Sequence, residues 1–329
     1  MIKSRANNPL AAAGFLLPNI LGFLVFTAGP LVFSLAVSFT NWNVQRTIPF
    51  RVSGSENYTE LLHDKQFWIF FINTVYLMLG LPFCIAGSLF LAVLLNQRLR
   101  GMVAYRTLFY LPSFTSGVAL MILWKALYSP DFGPINALLD WCLQALRIND
   151  LLQALGFHAL SPPQWLASTD NLLGLVPQEI RISGGKFGMG AREALIIMGV
   201  WIAIGGNNML LYLAALTNVP QELVEAAQID GASRWKVFRH VTWPQLAPTT
   251  FFIVVMSFIG SLQGGFDQAR VMTNGGPSGT TTTLAYYIYT KAFEEFQIGY
   301  ASAVAWILFT VIFVITLINW KFGQKELSY

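Results

Sequence analysis

Six apolar stretches, at residues 11–39, 67–95, 104–124, 194–216, 246–265 and 299–320, alternate with segments into which the charged residues are gathered. A helix needs roughly 20 apolar residues to cross a hydrocarbon core about 30 Å thick, and each stretch meets that length. Five of the six carry no Asp, Glu, Lys or Arg, and the third carries only Arg106, near one end, where its stem can reach the headgroups. The pattern predicts an all-α polytopic membrane protein of six transmembrane helices. Residues 135–155 are also rich in Leu, but Asp140, Arg147 and Asp150 interrupt them. A charge at mid-bilayer costs about 2.5–3.5 kcal/mol. That segment is expected to lie in the interface as one helix, with Leu138, Leu139, Cys142, Leu143 and Leu146 on its apolar face.

Composition agrees with the pattern. Of 329 residues, 55% are hydrophobic and 11% charged, against roughly 25% charged in soluble chains. Mean hydropathy is +0.55 and the pI about 9.1. The excess of four positive charges comes without a basic patch interleaved with aromatics, so it reads as loop charge beside a membrane and not as a nucleic-acid footprint. Two cysteines make neither a disulfide framework nor a closed metal site.

Six spans place both tails on one side, with the loops at 96–106 and 217–245. Half of the 20 Lys and Arg fall there, including Arg98, Arg100, Arg234, Lys236 and Arg239, and so do only four of the 16 acids. The remaining ten bases are spread over loops about twice as long, so the basic side is read as cytoplasmic. The first span is too long for a signal-peptide core and has no small-x-small cleavage site, so it is expected to be retained.

Several function classes lose support. Ion-coupled carriers place ionisable residues within the membrane, whereas these spans offer only Asn73, Thr74, Ser88, Ser116, Asn207, Asn208, Ser257, Ser261 and Gln263 as notable polar groups. The glycine-rich residues 184–190 lack both the GxxxxGK(S/T) and the GxGxxG spacing that cradle phosphates. His63, His158 and His240 are scattered, and no HExxH or spaced carboxylate pair occurs. No catalytic residues and no metal ligands are assigned, and the chain is read as a non-enzyme.

The 217–245 loop carries the strongest local signal. Asn218 or Val219 would cap a helix with Pro220 and Glu222 in its first turn, as the unpaired donors and positive dipole end favour. Leu223, Ala226, Ala227 and Ile229 form a small-residue apolar stripe, and Gly231 stops the helix. A second short helix from about Ser233 would carry Trp235, Phe238 and Val241 on one face. Pro244 would end it, with Pro248 in the first turn of the next span. Two short helices bent at a glycine suit a partner's groove; an amphipathic connector on the membrane surface is the alternative.

The run Glu225-Ala226-Ala227-x3-Gly231-x9-Val241-x-Trp243-Pro244 resembles the EAA loop of ABC-importer permeases, with Val for the usual Ile and Trp for the usual Leu. Asp230 and Ala232 match the fuller form common in sugar importers. Thr273-Asn274-Gly275-Gly276-Pro277, the threonines at 280–283 and Gly299-Tyr300-Ala301-Ser302-Ala303 are similar to the corresponding stretch of carbohydrate-uptake permeases related to the maltose system. The resemblance covers residues 67–322, with 1–66 as an extra N-terminal helix and loop and 323–329 as a cytoplasmic tail. The 128–193 segment departs from it in length, with an apparent insertion near 172–190.

The resemblance implies a type I importer permease core in a bacterial or archaeal cytoplasmic membrane, paired with a second permease subunit and surrounded by lipid. ATPase subunits in the cytoplasm would hold the ATP-Mg, and this chain would hold no cofactor. An extracytoplasmic solute-binding protein would dock on 128–193. Glu225, Ala226, Ala227, Asp230, Gly231 and Pro244 would couple to the ATPase. Asn207, Asn208 and Gln263 are candidates for the solute path, with helix–helix hydrogen bonding as their alternative role. The solute expected is a sugar or oligosaccharide; glycerol phosphate, an amino acid or an inorganic anion is the competing cargo. A non-transporting scaffold or receptor subunit is the competing class.

Overall fold

The computed structural model describes residues 9–45, 49–97, 100–155, 159–174 and 187–326. Part of the apparent insertion near 172–190, and the charges Lys3, Arg5 and Arg98 used for sidedness, lie outside the described residues. The helices are α1 (Ala13–Ser38), α2 (Glu56–His63), α3 (Lys65–Leu95), α4 (Met102–Phe114), α5 (Gly117–Leu127), α6 (Pro134–Ala145), α7 (Ile148–Ala154), α8 (Ala191–Ile204), α9 (Asn207–Thr217), α10 (Gln221–Ile229), α11 (Arg234–Gln263), α12 (Leu284–Tyr289) and α13 (Ile298–Glu326). Among the described residues five helices are long and apolar enough to span a membrane, counting α8 with α9 as one, and six if α4 with α5 is counted as a bent span.

That bent span corrects the sequence reading, which made 104–124 one straight helix. α4 and α5 meet at 94°. Pro112 removes a hydrogen bond near the end of α4, and Thr115 and Ser116 then take extended backbone angles (ψ 141° and 126°). The apolar run hid a break written in Pro112, Ser116 and Gly117. The 135–155 segment is likewise two helices, parted at Arg147 with φ +48°. Its inward side holds Ile135, Asn136 and Leu139, whereas Leu138 and Leu146, expected on the apolar face, are exposed.

Contacts divide the chain into two compact units. One comprises residues 1–64 with 288–310. In it Asn57 donates to the carbonyls of Ser38 and Thr40, both at 2.8 Å, and Tyr300 donates to Asp64 at 2.8 Å. Gly299 approaches the α1 end so closely that a Cβ there would meet the Thr40 carbonyl oxygen at 2.0 Å.

The other unit comprises 65–287 with 311–329. Its spans pack through two apolar clusters. Leu91, Ala92 and Leu95 of α3 meet Met209, Tyr212 and Leu216 of α9 and Leu246 and Ile253 of α11. Met121 and Trp124 of α5 meet Trp165, Met272 and Ala194, Leu195 and Met198 of α8. Between α8 and α9 the chain breaks at Gly205-Gly206. A Cβ on Gly205 would lie 2.0 Å from the Phe109 carbonyl oxygen, so only glycine lets α4 come this close.

Candidate functional site

The loop between α9 and α11 folds as an elbow. Pro220, not Asn218 or Val219, stands at the N-cap of α10, in extended conformation with ψ 122°. Gly231 ends the helix with φ +78°. The Ala232 N–H reaches the Ala227 carbonyl and the Gly231 N–H reaches the Gln228 carbonyl, both at 3.0 Å. These two bonds make a Schellman cap, which needs the left-handed residue that glycine supplies without a Cβ penalty. Glu225, Ala226, Asp230 and Gly231 are exposed and Ala227 is half-buried. Leu223, Ile229 and Trp235 also stand out into solvent, at 45%, 86% and 67% exposure. Trp235 stacks on Phe238 with ring centroids 5.7 Å apart.

Pro244 does not end the second helix as expected. α11 runs from Arg234 through Pro244 and past Pro248 to Gln263. The backbone widens into a π turn over Phe238–Thr242 just before Pro244. A widened turn shifts the carbonyl register and accommodates a residue that lacks an N–H. Pro244 is exposed and belongs to α11, outside the elbow that groups Glu225, Ala226, Ala227, Asp230 and Gly231. A groove of about 770 Å³ lies beneath the elbow, lined among others by Asn96, Arg106, Val224, Gln228, Arg234 and Phe238. Arg106 closes the end of α3 there by donating to the Leu95 carbonyl at 2.8 and 3.2 Å.

A second feature is a cavity of about 320 Å³ walled by α3, α8, α9, α11 and the chain following α11. Its polar groups are Thr74, Asn208, Ser257, Ser261, Gln268 and Thr283, and glycines 80, 199, 260, 264 and 265 leave the space; no charged residue lines it. Asn208 donates to Ser257 at 3.4 Å. Of the three candidates for the solute path, only Asn208 faces this cavity. Asn207 opens α9 and accepts a hydrogen bond from the Tyr110 hydroxyl at 2.9 Å, and Gln263 is exposed at the end of α11.

Sequence reasoning missed a third feature beside the cavity. α8 begins at Ala191, earlier than the apolar pattern indicated, which brings Arg192 and Glu193 into its first turn at 2% and 3% exposure. Glu193 accepts from the N–H groups of Gly190 and Leu172 at 3.1 and 3.0 Å and from the Tyr76 hydroxyl. Arg192 donates to the Thr280 carbonyl at 2.9 Å and to Asn73 Oδ1 at 2.7 Å, and its guanidinium lies 5.1 Å from the Tyr76 ring centroid. Asn73 in turn donates to the carbonyls of Gly279 and Thr282 at 2.8 and 3.1 Å. The signal available in the sequence was Gly190-x-x-Glu193, an acid three residues into a helix where it can bond back to the cap N–H.

Residues 70–324 match the model of the family described as "Binding-protein-dependent transport system inner membrane component". Over all of its length the chain is 34% identical to the "Probable ABC transporter permease protein YesP" of Bacillus subtilis, covering 96% of that protein. It is 31% identical to the "Lactose transport system permease protein LacF" of Rhizobium radiobacter, with 95% and 93% of the two chains aligned. A crystal structure of a bacterial alginate ABC transporter, in complex with an alginate pentasaccharide-bound periplasmic protein, contains a chain of the same fold. Its TM-score is 0.71 at 22% identity, with 97% of this chain and 96% of that one covered. On the match over most of its length, this chain belongs to the binding-protein-dependent inner-membrane components, the permease subunits of ABC importers.

Proposed function

We propose that this permease carries a sugar or oligosaccharide through the cavity walled by α3, α8, α9 and α11, driven by ATPase subunits that grip the elbow at Gly231. The observation that carries the reading is the chemistry of the cavity wall. Hydroxyls, two amides and glycines share it with apolar side chains such as Leu77, Leu81, Leu195, Ile196 and Val200, and no formal charge lines it. Neutral donors and acceptors suit a polyol, which needs many modest hydrogen bonds, and about 320 Å³ falls within the range of small-molecule sites, roughly 300–1,000 Å³. The lactose permease among the relatives supports a sugar cargo. An anionic cargo would call for Arg or Lys on the wall.

The exposed elbow supports the coupling. Ile229 and Trp235 offer apolar anchors of the kind that fills a partner's groove, with Glu225 and Asp230 beside them. Closure of the ATPase dimer around ATP-Mg would pull α10, and α11, continuous from Arg234 through its π turn, would transmit the pull to the cavity wall. The elbow and both tails would then face the cytoplasm, with the solute-binding protein and the 128–193 segment on the opposite side and a second permease completing the pore.

The test is uptake of radiolabelled sugar by proteoliposomes holding the complete assembly co-purified with this chain. ATP-dependent accumulation that requires the solute-binding protein is the expected result. An assembly that contains no ATPase, or that hydrolyses ATP without moving any sugar, overturns the reading.

A further inference from the structure

Arg192 and Asn73 lie outside the cavity lining, yet both are tied to it. Asn73 is fully buried and its neighbour Thr74 lines the cavity. The two carbonyls that Asn73 holds belong to Gly279 and Thr282, and the next residue, Thr283, lines the cavity as well. Thr74 also accepts from the Leu284 N–H at 3.0 Å, so residues 279–284 are sewn to α3 by three hydrogen bonds. Arg192 supplies the orientation. By donating to Asn73 Oδ1 at 2.7 Å it forces the amide nitrogen toward the turn, because an amide has one acceptor oxygen and one donor nitrogen. Its second arm fixes the Thr280 carbonyl at 2.9 Å. A planar guanidinium spans both acceptors in a fixed fork, which an ammonium cannot imitate.

The turn has little reason of its own to stand where it does. It is rich in glycine and threonine, and Gly275, Ser278 and Gly279 have positive φ. Its internal bonds, such as Thr281 Oγ1 to the Gly276 carbonyl at 2.8 Å, hold its shape but not its position against α3. A buried ionisable residue in a membrane protein is expensive and needs its full set of partners. Here that set lies one residue or a few behind the cavity wall at Thr74 and Thr283.

We infer that Arg192 and Asn73 are positioning residues for transport: they pin the 279–282 turn to α3 and α8 so that Thr74 and Thr283 stand side by side on the wall of the solute cavity. The inference rests on the proposed role of that cavity. Loss of the pin would leave the elbow intact, so ATP hydrolysis would proceed while solute is mishandled.

The discriminating substitution is Asn73→Asp. A carboxylate keeps Arg192 paired, so the buried charge stays satisfied, but it removes both donations and sets an anionic oxygen against the Gly279 and Thr282 carbonyls. Arg192→Lys breaks the fork from the other side. Ser261→Trp, which fills the cavity directly, tests the underlying reading, and Tyr76→Phe alters the Glu193 half of the cluster without touching the pin. Sugar imported per ATP hydrolysed is measured in proteoliposomes with the complete assembly. Asn73→Asp and Arg192→Lys are expected to lower that ratio about tenfold, within the usual range of coupling between sites, with assembly and binding-protein-stimulated hydrolysis retained; Tyr76→Phe is expected to leave it unchanged. If Ser261→Trp blocks uptake but Asn73→Asp leaves the ratio intact, or lowers uptake and hydrolysis together, the positioning role is wrong while the cavity stands. If Ser261→Trp imports sugar normally, the cavity reading fails and the inference falls with it.

Discussion

The elbow around Gly231 and the cluster around Arg192 are both built from charged, polar and small residues, and they use them in opposite ways. At the elbow Glu225 and Asp230 are solvated and Ile229 is 86% exposed. Its hydrogen bonds are local, such as Ala232 to Ala227, and its shape is complete before anything packs on it. At the cluster Arg192, Glu193 and Asn73 are almost wholly buried, and beyond the local cap from Gly190 to Glu193 its side-chain partners come from distant segments: Thr280, Asn73 and Tyr76 stand 88, 119 and 117 positions away along the chain. A locally stable, outwardly sticky shape suits docking. A cluster whose every bond is internal suits positioning. The two regions should therefore fail differently when perturbed, one in engaging the ATPase and the other in stability or in handling the solute.

The largest effect is expected at Gly231→Asp. The residue holds φ +78°, where a non-glycine costs roughly 1–2 kcal/mol, and a third carboxylate would join Glu225 and Asp230 on the proposed docking face. Uptake should drop about a hundredfold, near the upper end of coupling between sites, while membrane insertion holds and the melting temperature of the purified chain falls by no more than a few degrees. Normal uptake by this variant would remove the elbow from the coupling path.

Glu193→Gln should show the opposite signature. The new amide nitrogen must face either the Gly190 N–H or the pair formed by the Leu172 N–H and the Tyr76 hydroxyl. A buried polar group left unpaired costs about 1–3 kcal/mol. Thermal unfolding in detergent should register that loss, with the sugar-to-ATP ratio of the surviving assembly unchanged. A stable protein with altered stoichiometry would place Glu193 with Arg192 and Asn73 among the positioning residues.

Why one region was legible in the sequence and the other was not follows from the same contrast. The elbow is written contiguously: an acid in the first turn, small residues, then a glycine at the helix end, each acting on neighbours within a turn. Only its edges were misread: the N-cap falls on Pro220, and Pro244 looks like a stop until the π turn at Phe238–Thr242 is seen. The spans were legible because burial in lipid demands length and apolarity, which composition records directly. The 94° bend between α4 and α5 was not, since hydropathy averages over the short break at Thr115 and Ser116. Arg192 and Glu193 were assigned to a loop because charge next to an apolar run ordinarily marks the water boundary; Gly190-x-x-Glu193 hinted at the helix start, but the partners of Arg192 come from α3 and from residues 279–284, and no local pattern reports those. The cavity was half visible: Thr74, Asn208, Ser257 and Ser261 stood out as polar within apolar runs, but periodicity alone could not separate those facing the cavity from Asn207 and Gln263.

A smaller effect should follow Ile229→Ser. The side chain contributes nothing to the packing of the isolated permease, so stability should stay level. An Ile fully buried in a partner's groove contributes about 1.5–3 kcal/mol, so affinity for the ATPase, measured by titrating detergent-solubilised subunits, should weaken by roughly ten- to a hundredfold. Unchanged affinity would show that the apolar tip of α10 remains solvated in the assembly, leaving Trp235 as the anchor to examine.

The smallest effect separates two adjacent amides. Asn207 and Asn208 share one helix start, after the glycine pair that lets α4 approach, yet their side chains diverge. Asn207 is exposed and receives the Tyr110 hydroxyl at 2.9 Å, a bond that links α9 to α4. Asn208 reaches Ser257 at 3.4 Å and lines the cavity. Asn207→Ala therefore removes one helix–helix hydrogen bond, of the order of 0.6 kcal/mol in membrane proteins, and should leave the uptake rate within experimental scatter of the parent. Asn208→Ala keeps the same helix start and removes an amide from the cavity wall, so any change in uptake should appear there. The pair is matched in position, chemistry and helix propensity, which leaves orientation toward the cavity as the variable. Should uptake follow Asn207 and ignore Asn208, the solute would travel on the α4 side of α9, and the cavity bounded by α3, α8 and α11 would be a packing space and not the route.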